Sequence, residues 1–185
     1  MAAPVLVTFA AGSTGPWRID RLAAVSGAGL PSAALLAVYE GASGVRAESA
    51  VWALRGTTSN TRYTNRAEVT ALEARQEGLG RGAARKAALI PIRKTEAWWA
   101  LAQDERRAIF EEQSRHIAIG RAYLPAIARR LHHSRELAEP FDFLTWFEYA
   151  PEHAGYFEEL VDRLRASEEW RYVEREVDIR LTRDI

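Results

Sequence analysis

Four residues in this 185-residue chain combine a reactive type with a telling neighbourhood: His116, Arg129, Lys94 and Glu169. His116 lies in Gln-Ser-Arg-His-Ile-Ala-Ile-Gly, with apolar residues after it and Gly120 four positions on. A small residue one helical turn from a histidine lets a flat ligand approach the backbone, and one helical histidine suffices as an axial haem ligand. Spacing alone favours the plainer alternative, a partly buried, hydrogen-bonded histidine. Arg129 and Arg130 follow Pro125. Thirteen residues at about 100° each set Arg129 off the His116 face, on another side of a ligand held between them. The alternative is a solvated arginine pair at a helix end, where the dipole favours cations. Lys94-Thr-Glu-Ala-Trp98-Trp99 sets a lysine beside two large aromatics. Either it neutralises a carboxylate of an apolar cofactor covered by the tryptophans, or it is a surface lysine next to a core pair. Glu169, in Ser-Glu-Glu-Trp, is a surface carboxylate at a helix–strand junction, or it orients a ligating histidine.

Other chemistries are poorly supported. The chain has no cysteine, which excludes a disulfide framework, a thiolate metal site and a cysteine nucleophile. Its four histidines show no HExxH spacing, and no GxSxG, GxGxxG or Walker loop occurs. Basic and acidic residues number 25 each, so no broad basic surface suggests nucleic-acid binding. Only Lys86 and Lys94 are lysines, which singles out each of them. No run of about 18 apolar residues suggests a membrane span. The apolar start lacks a basic residue before Arg18, unlike a secretory signal, so a cytoplasmic protein without a membrane partner is expected.

The elements that must position these residues are α+β in pattern. Strands are predicted at Pro4–Ala10, Ala33–Tyr39, Ala50–Gly56 and Ala88–Ile92, and Arg66–Leu79 has helical spacing. Asp104 is a candidate N-cap for a helix through His116 and Ile119, kinked or split at Pro125, with helical character resuming to about Ser134. Phe141–Tyr149 is a nearly continuous apolar run, interrupted by Asp142, Thr145 and Glu148, and reads as a strand buried on both faces. Glu152–Ala166 is a helix with Tyr156, Leu160 and Leu164 on one stripe. Trp170–Leu181 closes the chain as a strand. The pattern fits one domain, residues 1–185, made of two α+β lobes at 1–87 and 88–185.

Taken in order, Lys94-x-x-x-Trp98-Trp99, Arg-His116-x-x-x-Gly, Ala-Arg129-Arg-Leu-His-His-Ser-Arg, Phe-Asp-Phe-Leu-Thr-Trp-Phe-Glu and Leu-Arg-x-Ser-x-Glu169-Trp-x-Tyr-Val resemble the chlorite dismutase family of haem proteins. The resemblance runs from about residue 50 to the end and is closest to the short branch, typically cytoplasmic homodimers. It implies a dimeric α+β barrel of two ferredoxin-like lobes per chain, the N-terminal one truncated, with haem b in the C-terminal lobe. It makes His116 the proximal iron ligand, Glu169 the acceptor from its other ring nitrogen, Arg129 the distal arginine and Gln76 its distal neighbour. Tyr63 and Lys94 would hold the haem propionates, and Trp98 would pack beside the porphyrin.

The implied reaction converts chlorite to chloride and dioxygen, with the O–O bond formed from ferryl haem and transient hypochlorite. Detoxification of chlorite is one role that this allows. The family also holds coproheme decarboxylases, which carry a reactive tyrosine in a Tyr-Pro-x-x-Lys segment and commonly a distal glutamine. Here that segment is Ile90-Pro91-Ile92-Arg93-Lys94, and an arginine stands at the distal position. A non-enzymatic haem carrier or sensor is the third reading, which leaves Arg129 without a purpose.

Overall fold

Eight strands close on themselves in the computed structural model, which describes residues 4–41, 49–58, 67, 70 and 78–184. They are β1 (Leu6–Gly12), β2 (Trp17–Ser26), β3 (Leu35–Glu40), β4 (Trp52–Thr58), β5 (Lys86–Lys94), β6 (Ile127–His133), β7 (Phe143–Tyr149) and β8 (Val173–Thr182). Every pairing is antiparallel, and the barrel runs β1-β3-β2-β8-β5-β7-β6-β4. Read around that ring, the first four strands lie in the order β4-β1-β3-β2 and the last four in the order β8-β5-β7-β6. The two halves therefore repeat one arrangement. Between β5 and β6 lie α1 (Glu96–Ala100), α2 (Gln103–Arg107), a π-helical turn (Ala108–Gln113) and α3 (His116–Ala122); α4 (Ala154–Arg165) joins β7 to β8 through a short 3₁₀ turn at Glu168–Tyr172.

Strand alternation divides the apolar side chains into two cores. Leu89 and Ala87 of β5 face into the barrel with Phe9, Trp17, Leu36, Leu54, Trp146 and Ile179. Ala88, Ile90 and Ile92 face outward and pack with Phe143, Phe147, Tyr149 and Phe157 under the helices. This double burial makes β5 and β7 continuous apolar runs instead of alternating ones. The stripe of α4 that covers the outer core is Phe157, Leu160, Val161 and Leu164; Tyr156, expected on that stripe, is 55% exposed.

The structure corrects the sequence reading at three places. Trp17–Ser26 is a ten-residue strand that composition did not reveal, because Arg18, Asp20, Arg21 and other polar or small residues face outward along it. Residues 127–133, expected to resume a helix after Pro125, form β6, paired over seven residues with β7. Helix-favouring Ala, Arg and Leu yield there to pairing and to burial on both faces. The long helix expected from Asp104 is also divided. It begins after Ala102, whose N–H donates to Glu105 Oε2 at 2.7 Å, and it is broken at Ser114 and Arg115 before α3 begins. The helix expected at Arg66–Leu79 lies largely outside the described residues.

Two pairs, Thr57↔His133 and Thr58↔His132, join β4 to β6 and complete the ring. Gly56 allows this approach, since a Cβ there would lie 2.7 Å from the Cβ of His132. His132 is fully buried inside the barrel, edge-on to Phe9 at 5.1 Å. Its Nδ1 lies 3.0 Å from the Leu144 carbonyl, and its Nε2 accepts from Arg130 Nε at 3.1 Å. One nitrogen donates and the other accepts, so the ring is neutral. Burial pushes its pKa down to about 4, with the Leu144 bond opposing and the Arg130 charge reinforcing the shift.

This yields a pH dependence with a definite sign. The unfolded chain binds a proton at His132 below about pH 6.5 that the folded chain refuses until about pH 4. The resulting stability is full above the unfolded value and is lost as pH falls through that window, by up to about 3 kcal/mol. Urea midpoints of the wild type should fall between pH 7 and pH 4.5, and His132→Gln should flatten that part of the profile. Parallel profiles would assign the dependence to other groups.

Candidate functional site

The site lies on the outer face of the second strand quartet, where α3 crosses it. Lys94 is the last residue of β5, at a register shift against β8, and its backbone N–H donates to Asp142 Oδ2 at 2.7 Å. Its side chain turns inward and is 2% exposed. Lys94 Nζ donates to Glu169 Oε1 at 2.7 Å, and the face of Trp98 covers the ammonium at 4.4 Å. Glu169 sits in the 3₁₀ turn before β8, 4% exposed, and its backbone N–H donates to Ser114 Oγ at 2.8 Å. Its other oxygen, Oε2, lies 2.7 Å from His116 Nδ1.

Burial opposes ionisation of Glu169, but the charges and hydrogen bonds of His116 and Lys94 outweigh it and hold the carboxyl at about 2. Burial likewise pushes Lys94 down, with Glu169 and Asp142 pulling it back. A carboxylate that stays ionised accepts a hydrogen bond from Nδ1–H, which orients the ring and leaves Nε2 as its other coordinating atom. Nε2 has no hydrogen-bond partner among the described residues. Phe110 stacks on the imidazole at 4.4 Å and restricts its rotation.

Local backbone geometry brings His116 to this position. Arg115 takes a left-handed conformation, φ 53°, so α3 starts abruptly at His116. No side chain at Arg115 caps the helix; Glu111, in the π-helical turn, accepts from the Ile117 N–H at 2.7 Å instead. π-helical turns inside α-helices are rare and recur at functional sites.

Arg129 reaches the same place from the sheet. It is an outward-facing residue of β6, and its guanidinium lies against Gly120 of α3. A Cβ on Gly120 would overlap Arg129 Nη1 and lie 2.8 Å from Cζ and 3.0 Å from Nη2. The sequence reading put Gly120 and Arg129 on helical segments kinked or split at Pro125; the structure puts them on a helix and a strand that face each other. Burial pushes the Arg129 pKa down, and the charge of Glu111 opposes that shift.

His116, Glu169, Lys94, Trp98 and Arg129 thus belong to one region, while Tyr63 and Gln76 lie outside the described residues. Lys94 departs from its expected role. Its ammonium is engaged by Glu169 under Trp98, and reaching a cofactor carboxylate would strand a buried charge. Trp98 is 1% exposed and packs on Lys94 and Tyr172, so it supports the ion pair. Sequence reasoning missed Asp142, Ser114 and Glu111. Asp142 left a trace as one of two charges in a largely apolar run. It receives the Lys94 N–H, the Trp99 indole N–H at 3.2 Å and Arg135 at 3.3 Å. Ser114 and Glu111 left no trace, since their partners are backbone groups.

The residues present suit a flat, iron-bearing ligand. They offer an imidazole oriented by a buried carboxylate, a glycine one helical turn on, and an arginine on the facing strand. The family model described as chlorite dismutase matches residues 35–185. A crystal structure of dimeric chlorite dismutases from Nitrobacter winogradskyi is similar over 96% of this chain and 99% of that one, with 57% identity and a TM-score of 0.89. A mutant chlorite dismutase from Candidatus Nitrospira defluvii has the same fold, with a TM-score of 0.72 at 22% identity over 98% of this chain and 92% of that one. No curated protein sequence matches the chain.

Removing one member of the buried pair should cost more than removing both. Glu169→Gln leaves the Lys94 ammonium uncompensated and should lower unfolding free energy by about 3–5 kcal/mol. Lys94→Met combined with Glu169→Gln should recover more than half of that loss in chemical denaturation. Additive losses would mean that the two side chains act independently.

Proposed function

The chain belongs to the chlorite dismutase family, and from that premise we propose that it is a haem b-dependent enzyme converting chlorite to chloride and dioxygen. The observation that carries the proposal is the 2.7 Å contact of His116 Nδ1 with Glu169, which leaves Nε2 open one turn before the bare backbone of Gly120. When bound, haem b would supply the iron at which the chlorine–oxygen bond is broken and the O–O bond made.

The protein's own residues do the rest. His116 Nε2 would hold the iron. Glu169 keeps the proton on Nδ1 and orients the ring, and Lys94 keeps Glu169 ionised. Arg129 is the cation for a small anion. A guanidinium does not deprotonate in the working range, so chlorite, and any charged oxychlorine species released from it, stays attracted throughout turnover. The apolar wall of Ile90, Phe143 and Phe147 limits water, which strengthens that attraction. Gln76 and Tyr63 remain proposed contributors to the distal side and to the propionates.

Ile90 also bears on the alternative chemistry. It faces the outer core in the segment where the coproheme decarboxylases carry their tyrosine, and it offers no oxidisable group. The two strand quartets are read as ferredoxin-like lobes, residues 1–87 and 88–185, with haem in the second, and the protein as a cytoplasmic homodimer. The shared strand order supports the lobes, and the dimeric state named for the Nitrobacter winogradskyi structure supports the dimer. No helix among the described residues is long and apolar enough to cross a membrane.

An oxygen electrode tests the activity. Chlorite added to haem-loaded protein should release dioxygen rapidly; decarboxylation of coproheme with peroxide and no oxygen release would favour the alternative. His116→Ala should lose most haem occupancy, read from the Soret band after reconstitution, and a retained histidine-ligated spectrum would assign the iron to another residue. Arg129→Ala should keep haem, slow oxygen release by tenfold or more, and bleach after fewer turnovers. A methionine trap for hypochlorite should protect this variant more than the wild type. Equal rates and equal total oxygen would remove Arg129 from the substrate's surroundings.

A further inference from the structure

We propose that Asp142 is a positioning residue for the site: it seats the main chain of Lys94 at the end of β5, and through Lys94 and Glu169 it sets how strongly His116 is held. No step of the proposed reaction uses Asp142. The assignment rests on the haem reading only for what His116 binds. A continuous chain of contacts carries it. Asp142 Oδ2 accepts from the Lys94 N–H, Lys94 Nζ donates to Glu169 Oε1, and Glu169 Oε2 meets His116 Nδ1, each at 2.7 Å.

Lys94 needs a seat because regular pairing stops beside it. On one side the ladder with β8 is interrupted between Arg93 and Lys94. On the other, the ladder with β7 ends at Ile92 and Phe143. The Asp142 N–H still donates to the Ile92 carbonyl at 2.9 Å, but its own carbonyl is taken by the Ser134 N–H at 2.9 Å. The carboxylate, not the carbonyl, therefore receives the Lys94 N–H. A long, flexible side chain reaches a fixed partner reliably only from a fixed origin. Asp142 is itself held: it is 5% exposed, Oδ2 also accepts the Trp99 indole N–H at 3.2 Å, and Oδ1 accepts from Arg135 Nη1 at 3.3 Å. The Arg135 guanidinium lies 4.0 Å from the Trp99 ring, so both donors to the carboxylate brace each other. The charge of Asp142 also joins that of Glu169 in opposing the effect of burial on Lys94.

The test is a double-substitution cycle read at the histidine. The His116 Nδ1–H resonance of the apoprotein is followed by NMR at neutral pH with nitrogen-labelled histidine. Lys94→Met leaves Glu169 one donor fewer, so the carboxylate should draw harder on the remaining proton and move the resonance downfield. Asp142→Ala should give most of that shift. Asp142→Asn keeps an oxygen for the Lys94 N–H but loses the charge, and should give a smaller shift of the same sign. In the Lys94→Met background neither Asp142 substitution should move the resonance further, because the route runs through Lys94. After haem loading, the iron–histidine stretching band of the ferrous proteins should change in the same order. Shifts that add, or no shift in either Asp142 variant, would overturn the assignment; if Asp142→Ala does not fold, the Asp142→Asn cycle decides it. Haem refused by every protein, with the Nδ1–H shifts non-additive as expected, would overturn the haem reading and leave Asp142 as the seat of Lys94.

Discussion

The site depends on one buried carboxylate. Glu169 and Lys94 are both withdrawn from water, and each ion alone would cost several kcal/mol of lost hydration. Both are tolerable only with near-ideal geometry and no oxygen left idle. Glu169 meets that condition by giving one oxygen to Lys94 and the other to His116, at 2.7 Å each. The three residues come from the end of β5, the turn before β8 and the first residue of α3. The ion chain therefore joins the sheet to the helix, and it sets the direction of the imidazole.

The barrel makes this arrangement possible by having two cores. A sheet with one solvated face could not carry a dry site on the other side of its core. Here the inner face fills the barrel, and the outer face of the β8-β5-β7-β6 quartet is covered by α3 and α4. The two histidines His116 and His132 show the difference between the faces. His132, inside, has both nitrogens occupied and serves packing alone. His116, outside, has one nitrogen fixed by a carboxylate and the other open.

Much of the second half could be read from the sequence because burial was strong enough to override ambiguity. Phe143–Tyr149 and Ala154–Arg165 formed close to where their patterns put them. β6 could not be read, since Ile-Ala-Arg-Arg-Leu-His-His suits a helix locally and is a strand only through its pairing with β7. β2 was hidden because much of it faces outward. At the site, His116, Glu169 and Arg129 had motif-level signals. The inward turn of Lys94 had none, because it follows from the register shift at the end of β5 and from Asp142 holding its backbone N–H. A lysine next to two tryptophans looks the same in sequence whether its ammonium meets solvent or a carboxylate.

That turn matters for what His116 can be. A histidine bonded to a strongly basic carboxylate would drift toward imidazolate, with its Nδ1 proton shared. Burial opposes ionisation of Glu169, but the charges and hydrogen bonds of His116 and Lys94 outweigh it and hold the carboxyl at about 2, so it accepts a hydrogen bond without taking the proton. Lys94 is the permanent part of that restraint, being within 2.7 Å of the oxygen that His116 does not use. The imidazole is thereby kept oriented, while the carboxylate charge is balanced within the protein. On the proposed function, a site that must also admit an anionic substrate benefits from that balance. The Glu169–Lys94 pair would then add no net negative charge to repel the anion, and the Arg129 guanidinium lies against Gly120 of the same helix as His116.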